Sequence, residues 1–215
     1  MADLNTPFLT RRLRELGIEV RRIEVVPDEP PEIVRAVRAA SCAFDYVFTS
    51  GGVGPTPDDV TVPAVAAALE RTIVRSSALE RLLLDYYKVD ELTIAQGRLA
   101  EIPSGAELIY APDSPYPQLV VGNVYVFPGV PSLLEKKFEQ IASLLKGTPF
   151  FAESVTTSRL ETELAPWLSA LGEQHPAVRF GSYPSVDTVE LVLESREEAP
   201  LQAALADLRR LLGDT

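Results

Sequence analysis

The sequence predicts an α/β fold: a mostly parallel sheet with crossover helices, followed by a small α+β domain. Three observations lead there. Residues 4 to 69 alternate helical and strand patterns in the order αβαβα. A glycine- and proline-rich run, Ser50-Gly51-Gly52-Val53-Gly54-Pro55-Thr56-Pro57-Asp58-Asp59-Val60-Thr61, separates a strand pattern from a helix pattern. After Lys146-Gly147-Thr148-Pro149 the order changes to βαββα.

Each element has its own signal. Residues 4 to 17 read as a helix with Thr6 as cap, Pro7 at the first helical position, Phe8, Leu9, Leu13 and Leu16 on one face, and Gly17 as the stop. Ile18 to Val26 reads as a strand whose alternation breaks at Arg21-Arg22. Pro27-Asp28-Glu29-Pro30-Pro31 turns the chain into a helix marked by Ile33, Val34, Val37 and Ala40. Phe44 to Phe48 is the next strand, and Val62 to Leu69 the next helix, with Thr61 placed to cap it and Pro63 in its first turn. Residues 76 to 92 form a helix with Leu79, Leu82, Leu83, Tyr86 and Tyr87 on a core face, and Ile94 to Ile102 extends it as a broken helix. Ala106 to Tyr110 is a short strand. Gln118 to Val121 and Asn123 to Phe127 form a hairpin through Gly122-Asn123, or two nearby strands. Pro128-Gly129-Val130-Pro131 opens a helix from Ser132 to Leu145 with Leu133, Leu134, Phe138 and Ile141 inward. The last segment gives a strand (152–157), a helix (161–171), two strands (178–183 and 188–194) and a final helix (200–212).

Composition narrows the function. The 215 residues, 46% hydrophobic and 24% charged, suffice for a sizeable core. The net charge of −11 argues against a nucleic-acid surface, which needs clustered Lys and Arg. No apolar run suits a membrane helix and no signal-peptide pattern opens the chain, so a cytoplasmic location without membrane contact is expected. The single Cys42 excludes an internal disulfide; in the last turn of an apolar helix it reads as a buried structural thiol.

The glycine run carries the chemistry. Gly51, Gly52 and Gly54 permit positive φ and let a ligand approach bare backbone, and free N–H groups beside a helix terminus suit phosphate oxygens. Asp58 and Asp59 would repel a bare phosphate. A divalent cation between carboxylate and phosphate removes that conflict. Equally, such a turn can simply close a βα unit, with acids favouring the helix start. No Gly-Lys-Ser/Thr follows the glycines, so this is not a P-loop. Asp28 follows a predicted strand, a position from which its carboxylate can point over the carboxyl edge of the sheet, where Asp59 would also arrive; both could instead be turn aspartates. Thr56, Asp58 and Thr61 can add metal or phosphate contacts, and Ser50 is a weaker candidate because no histidine lies nearby to activate it. His175, the only histidine, precedes Pro176 in a surface turn, which leaves neither a Ser-His-Asp triad nor a histidine metal cluster. Any metal is therefore oxygen-bound, favouring Mg²⁺ or Mn²⁺.

The run Ser50 to Thr61 resembles the signature of the molybdopterin-binding-like superfamily, which includes MogA, MoaB, CinA and the N-terminal domain of eukaryotic FAD synthase. Its Gly-Pro-Thr-x-Asp-Asp-Val-Thr form is more similar to the CinA and FAD-synthase branch. Pro128-Gly129-Val130-Pro131 resembles the element that faces the glycine loop across the ligand cleft, and Phe180-Gly181-Ser182-Tyr183-Pro184 resembles the small domain of the FAD-synthase branch. The stretch Asp3-Leu4-Asn5-Thr6-Pro7-Phe8 matches the residues that in the family follow a strand ending in Gly-Asp-Glu; here Met1-Ala2 precedes it, so the opening strand looks absent.

This resemblance implies a three-layer α/β/α domain over residues 1–147 and a small domain over 150–215. It implies catalytic roles for Asp28 and Asp59, metal contacts at Asp58 and Asp59, and ligand contacts at Asp3, Asn5, Ser50, Gly51, Gly52, Gly54, Pro55, Thr56, Thr61, Pro128, Gly129 and Pro131. The cation would be Mg²⁺, Mn²⁺ or Co²⁺, the ligand a nucleotide or pterin, and the assembly a homo-oligomer, dimer or trimer. The implied function is a metal-dependent pyrophosphatase of FAD or ADP-ribose. The alternatives are a molybdopterin-binding or adenylyltransferase-like protein and a non-catalytic nucleotide-binding module.

Overall fold

The computed structural model describes residues 2–112 and 114–213. Two compact units are present: residues 2–11 with 20–145, and residues 12–19 with 146–213.

The first unit is built on a four-stranded sheet. Its strands are β1 (Val47–Ser50), β4 (Glu107–Ala111), β5 (Ser114–Val121) and β6 (Val124–Phe127), in the order β1-β6-β5-β4. The predicted parallel arrangement is present where β1 lies beside β6, pairing Val47 with Val124 and Ser50 with Phe127. β5 runs antiparallel to both β6 and β4, as hairpin strands must. Of the two readings left open, the hairpin is the one formed, and Gly122 turns it at φ 60°. Helices α2 (Pro30–Ala43) and α3 (Thr61–Ala68) cover one face, and their Ile33, Val37, Ala64, Val65 and Ala68 close over Val121, Val124 and Val126. α3 is apolar almost all round, which suits a helix buried against both sheet and neighbouring helix. α1 (Asn5–Glu15) and α6 (Pro131–Ile141) bring Phe8 and Phe138 edge to face at 5.7 Å, beside Phe48 and Phe127.

Several local expectations change. Ile18 to Val26 forms no strand, and Ile23 and Val25 are exposed. Side chains place its second half alongside β1: the Arg22 guanidinium lies over the Phe44 ring, and Val26 and Val47 pack in one cluster. Among the described residues no ladder joins the two, because β1 pairs only with β6 and a segment without a bonded neighbour is not a sheet member. The broken-helix reading of 94 to 102 also fails. α4 (Ser77–Tyr87), capped by Ser76, ends at Lys88 in a left-handed conformation, and α5 (Ile94–Arg98) starts anew with a Thr93/Gln96 capping box. Ile102 then enters β3 (Glu101–Pro103), antiparallel to β2 (Ile73–Arg75). On α4 only Leu79 and Leu83 are fully buried while Tyr86 and Tyr87 face solvent, and on α6 Leu133 is outside. Cys42 is exposed, not buried, because the inward face of α2 is taken by Ile33 and Val37.

The second unit is an antiparallel sheet in the order β7-β9-β8, made from β7 (Phe151–Thr157), β8 (Val178–Pro184) and β9 (Val189–Ser195). Period-two alternation on β9 sends Val189, Leu191 and Leu193 into a core shared with Leu164 and Leu171 of α7 (Glu161–Gln174) and Leu201, Leu205 and Leu208 of α8 (Glu198–Leu212). Trp167 packs at the edge of this core, under the Arg159 guanidinium. His175 is not a free surface residue: at the end of α7 it is mostly buried, with Nε2 3.0 Å from Asp207 Oδ2.

Candidate functional site

Three segments of the first unit meet at the carboxyl end of β1. The strand ends at Ser50, and Gly51 (φ 97°) and Gly52 (φ 64°) then turn the chain through left-handed backbone that residues with a Cβ adopt at a cost. A side chain at Gly52 would overlap Thr61 Oγ1, and one at Gly54 would press on the Asp59 carboxylate. Opposite, Gly129 packs so closely that a Cβ there would lie 3.2 Å from the Gly51 Cα. Asn5 ties the three segments together, since its Nδ2 donates to Ser50 Oγ and to the Gly129 carbonyl, both at 2.8 Å. Asn5 Oδ1 and Thr49 Oγ1 are buried with no hydrogen-bond partner among the described residues. The Pro128 to Pro131 element therefore does face the glycine loop, and Pro131 opens α6 at its first position.

The loop amides are divided between structure and free space. Gly51 N–H donates to the Phe127 carbonyl at 3.1 Å, and Thr56 N–H to Asp59 Oδ2 at 3.0 Å. The Gly54 N–H also bonds the Asp59 carboxylate. The grip expected along Gly51 to Thr56 is thus narrowed: among the described residues only Gly52 and Val53 keep amide N–H groups without a partner. Thr61 does not cap α3. It is the buried first residue of that helix, donating its amide to the Gly52 carbonyl at 2.9 Å, because Val60 takes the cap position. At the other end of the site Asp3, not Thr6, caps α1, accepting from the Asn5 and Thr6 amides at 3.0 Å each.

The acids occupy different environments. Asp59 is half-buried; burial raises its carboxyl pKa, but hydrogen bonds from the Thr56 hydroxyl and the Gly54 and Thr56 amides outweigh this and hold it below the ordinary value. It is a brace inside the loop as much as a group facing a ligand. Asp28 is exposed, with Oδ1 3.6 Å from where a Gly52 Cβ would stand, and Asp58 is exposed at the loop tip. Two carboxylates on the loop, with Asp28 on the neighbouring turn, are oxygen donors of the kind a divalent ion takes. Among the described residues no three acids, histidines or cysteines converge on one point, so such an ion would draw further oxygens from a phosphate ligand, as Mg²⁺ commonly does. One group escaped the sequence reading: Arg98 Nη1 donates to the Pro55 carbonyl at 3.5 Å. It stands 43 residues downstream on another element, and no local pattern announces it.

Residues 1–147 match the family described as probable molybdopterin binding domain, and residues 149–215 match the FAD synthase middle domain. The chain belongs to the molybdopterin binding domain family. It is 29% identical to a protein of Archaeoglobus fulgidus over 214 residues, covering 100% of this chain and 92% of that one. It is 31% identical to a probable FAD synthase of Caenorhabditis elegans, covering 98% of this chain and 46% of the relative. A CinA-like protein of Myxococcus xanthus is 28% identical, over 99% of this chain and 56% of its own length. The chain thus spans about half of those two relatives. Among solved structures, a CinA protein of unknown function from Thermoplasma acidophilum superposes with a TM-score of 0.61 at 31% identity, covering 66% of this chain and 87% of that one. Membership in this family and the α/β fold with its separate small domain agree with the resemblance read from the glycine loop. No helix among the described residues is long and apolar enough to cross a membrane.

Proposed function

We propose that the chain is a metal-dependent pyrophosphatase acting on a dinucleotide of the FAD or ADP-ribose type. The observation that carries this reading is the pair of unpartnered amides at Gly52 and Val53, set in left-handed glycine backbone beside the exposed Asp28 carboxylate. The likeness to FAD synthases and CinA-like proteins supports it. In this reading the two amides hold a bridging diphosphate by its oxygens, and Asp59 braces the loop by occupying the neighbouring amides. A water oxygen forms a bond to one phosphorus, the bridging P–O bond breaks, a proton passes to the exposed Asp28 carboxylate, and AMP leaves with a second phosphate ester. A Mg²⁺, Mn²⁺ or Co²⁺ ion would be held by the loop carboxylates Asp58 and Asp59 together with phosphate oxygens, and would offset phosphate charge and acidify water.

Incubating the protein with FAD or ADP-ribose and each metal, and following AMP by chromatography, tests this. AMP release abolished by Asp28→Asn and by Asp59→Asn is the expected result. No AMP with any metal removes the pyrophosphatase reading. The engagement of Asp59 by Thr56 favours a second reading, nucleotide binding without turnover, which gives a ligand-induced rise in melting temperature and no AMP.

A further inference from the structure

We propose that Arg98 reads the second phosphate of a diphosphate ligand and so selects diphosphates over monophosphates; the inference rests on the nucleotide site described above. The glycine loop is surrounded by acids, with Asp58 and Asp59 in it and Asp28 beside Gly52. An anion there needs positive charge in addition to amide dipoles. Among the described residues Arg98 is the only cationic side chain hydrogen-bonded to the stretch from Phe48 to Thr61.

Its placement is built. α5 is fixed at its start by the reciprocal Thr93/Gln96 capping box and at its end by the Ala100 N–H to Gly97 carbonyl bond. The Arg75 guanidinium lies against Gly97, with a would-be Cβ only 3.1 Å from its Nη2, and Arg75 is itself paired with Glu80 at 2.9 Å. Arg75 is thereby committed. Arg98 is not: it has no acidic partner among the described residues, it is exposed, and its one bond, to the Pro55 carbonyl, is at the long limit of 3.5 Å. Six other arginines, Arg12, Arg14, Arg35, Arg75, Arg179 and Arg210, are each paired with a carboxylate. Arg98 stands at the glycine loop with four of its five N–H donors uncommitted, which suits a bidentate phosphate contact. Val53 and Pro55 are two residues apart, at most about 7 Å of extended chain. The guanidinium thus stands near enough to the free amides for a second, linked phosphate to reach it, whereas one phosphate on the amides leaves Arg98 unused.

Calorimetric titration of the full chain with ADP and with AMP, both with Mg²⁺, tests this in wild type, Arg98→Gln and Arg98→Lys. In wild type ADP binds about tenfold tighter than AMP. Arg98→Gln removes that preference, weakening ADP about tenfold and leaving AMP unchanged, while Arg98→Lys restores part of it because a point charge replaces the planar fork. If Arg98→Gln weakens ADP and AMP equally, the residue only shapes the loop and the proposal falls. Unchanged ADP affinity in Arg98→Gln also overturns it. Arg98-dependent ADP binding without AMP release from FAD or ADP-ribose upholds the inference and removes the pyrophosphatase reading. A wild type that binds neither nucleotide overturns both.

Discussion

Asp59 Oδ2 accepts from the Thr56 amide at 3.0 Å and from the Thr56 hydroxyl, while the Asp59 amide donates back to the Thr56 carbonyl at 3.1 Å. The exchange closes the glycine loop on itself. Asp59→Ala opens it, costing about 1 kcal/mol, since the lost hydrogen bonds are exposed and water takes up the freed amides. The midpoint of urea unfolding falls, with the slope unchanged. The loss depends on pH. The folded carboxyl titrates below its unfolded value, so its stabilisation is fully present above the unfolded value of about 4 and fades as pH falls through the folded one. Wild type and Asp59→Ala therefore differ at pH 7 and converge toward pH 2.

Gly52→Ala and Gly122→Ala separate backbone strain from collision. Both glycines have similar positive φ, 64° and 60°, but nothing lies within 4 Å of a Cβ at Gly122, whereas at Gly52 it meets Thr61 Oγ1. Gly122→Ala costs about 1 kcal/mol from φ alone. Gly52→Ala costs more in chemical denaturation, and nucleotide binding is lost with it.

Lys137 of α6 is substantially buried, its ammonium donating to the Tyr116 and Pro117 carbonyls at 3.0 and 2.7 Å and lying over the Tyr116 ring. Burial pushes its pKa down to about 8. The unfolded lysine holds its proton to about pH 10.4, so between these values the unfolded chain binds more protons and stability rises with pH. Lys137→Met abolishes that rise, which urea titrations at pH 7.5 and 9.5 detect; the second stays below the range where Tyr116, pushed up to about 12, contributes.

On β1 the Val47 and Gly51 amides point at β6, donating to the Asn123 and Phe127 carbonyls, so strand alternation turns those of Phe48 and Ser50 to the unpaired edge. Hydrogen exchange followed by NMR shows Phe48 and Ser50 exchanging faster than Val47 and Thr49.

The glycine loop was legible because its residues are unusual for a stated physical reason: each glycine meets either a positive φ or a neighbour that leaves no room for a Cβ. The second unit was legible because Val189, Leu191 and Leu193 alternate on a single buried face. Ile18 to Val26 was misread because its composition reports strand preference, while a strand exists only where a neighbour completes its hydrogen bonds. The partners of His175 and Arg98 are illegible in sequence for a common reason: Asp207 and Pro55 are 32 and 43 residues away. The role of Asp59 as a brace was hidden because sequence gives the charge of a carboxylate but not the direction it faces.

The contact between Gly51 and Gly129, with Asn5 spanning both segments, locks the glycine loop and the turn at residues 128–131 into one packed floor. Such a floor has no hinge of its own to pay for in entropy when a small molecule arrives. Discrimination between guests then rests with exposed groups standing at its rim, free to respond, rather than with the floor.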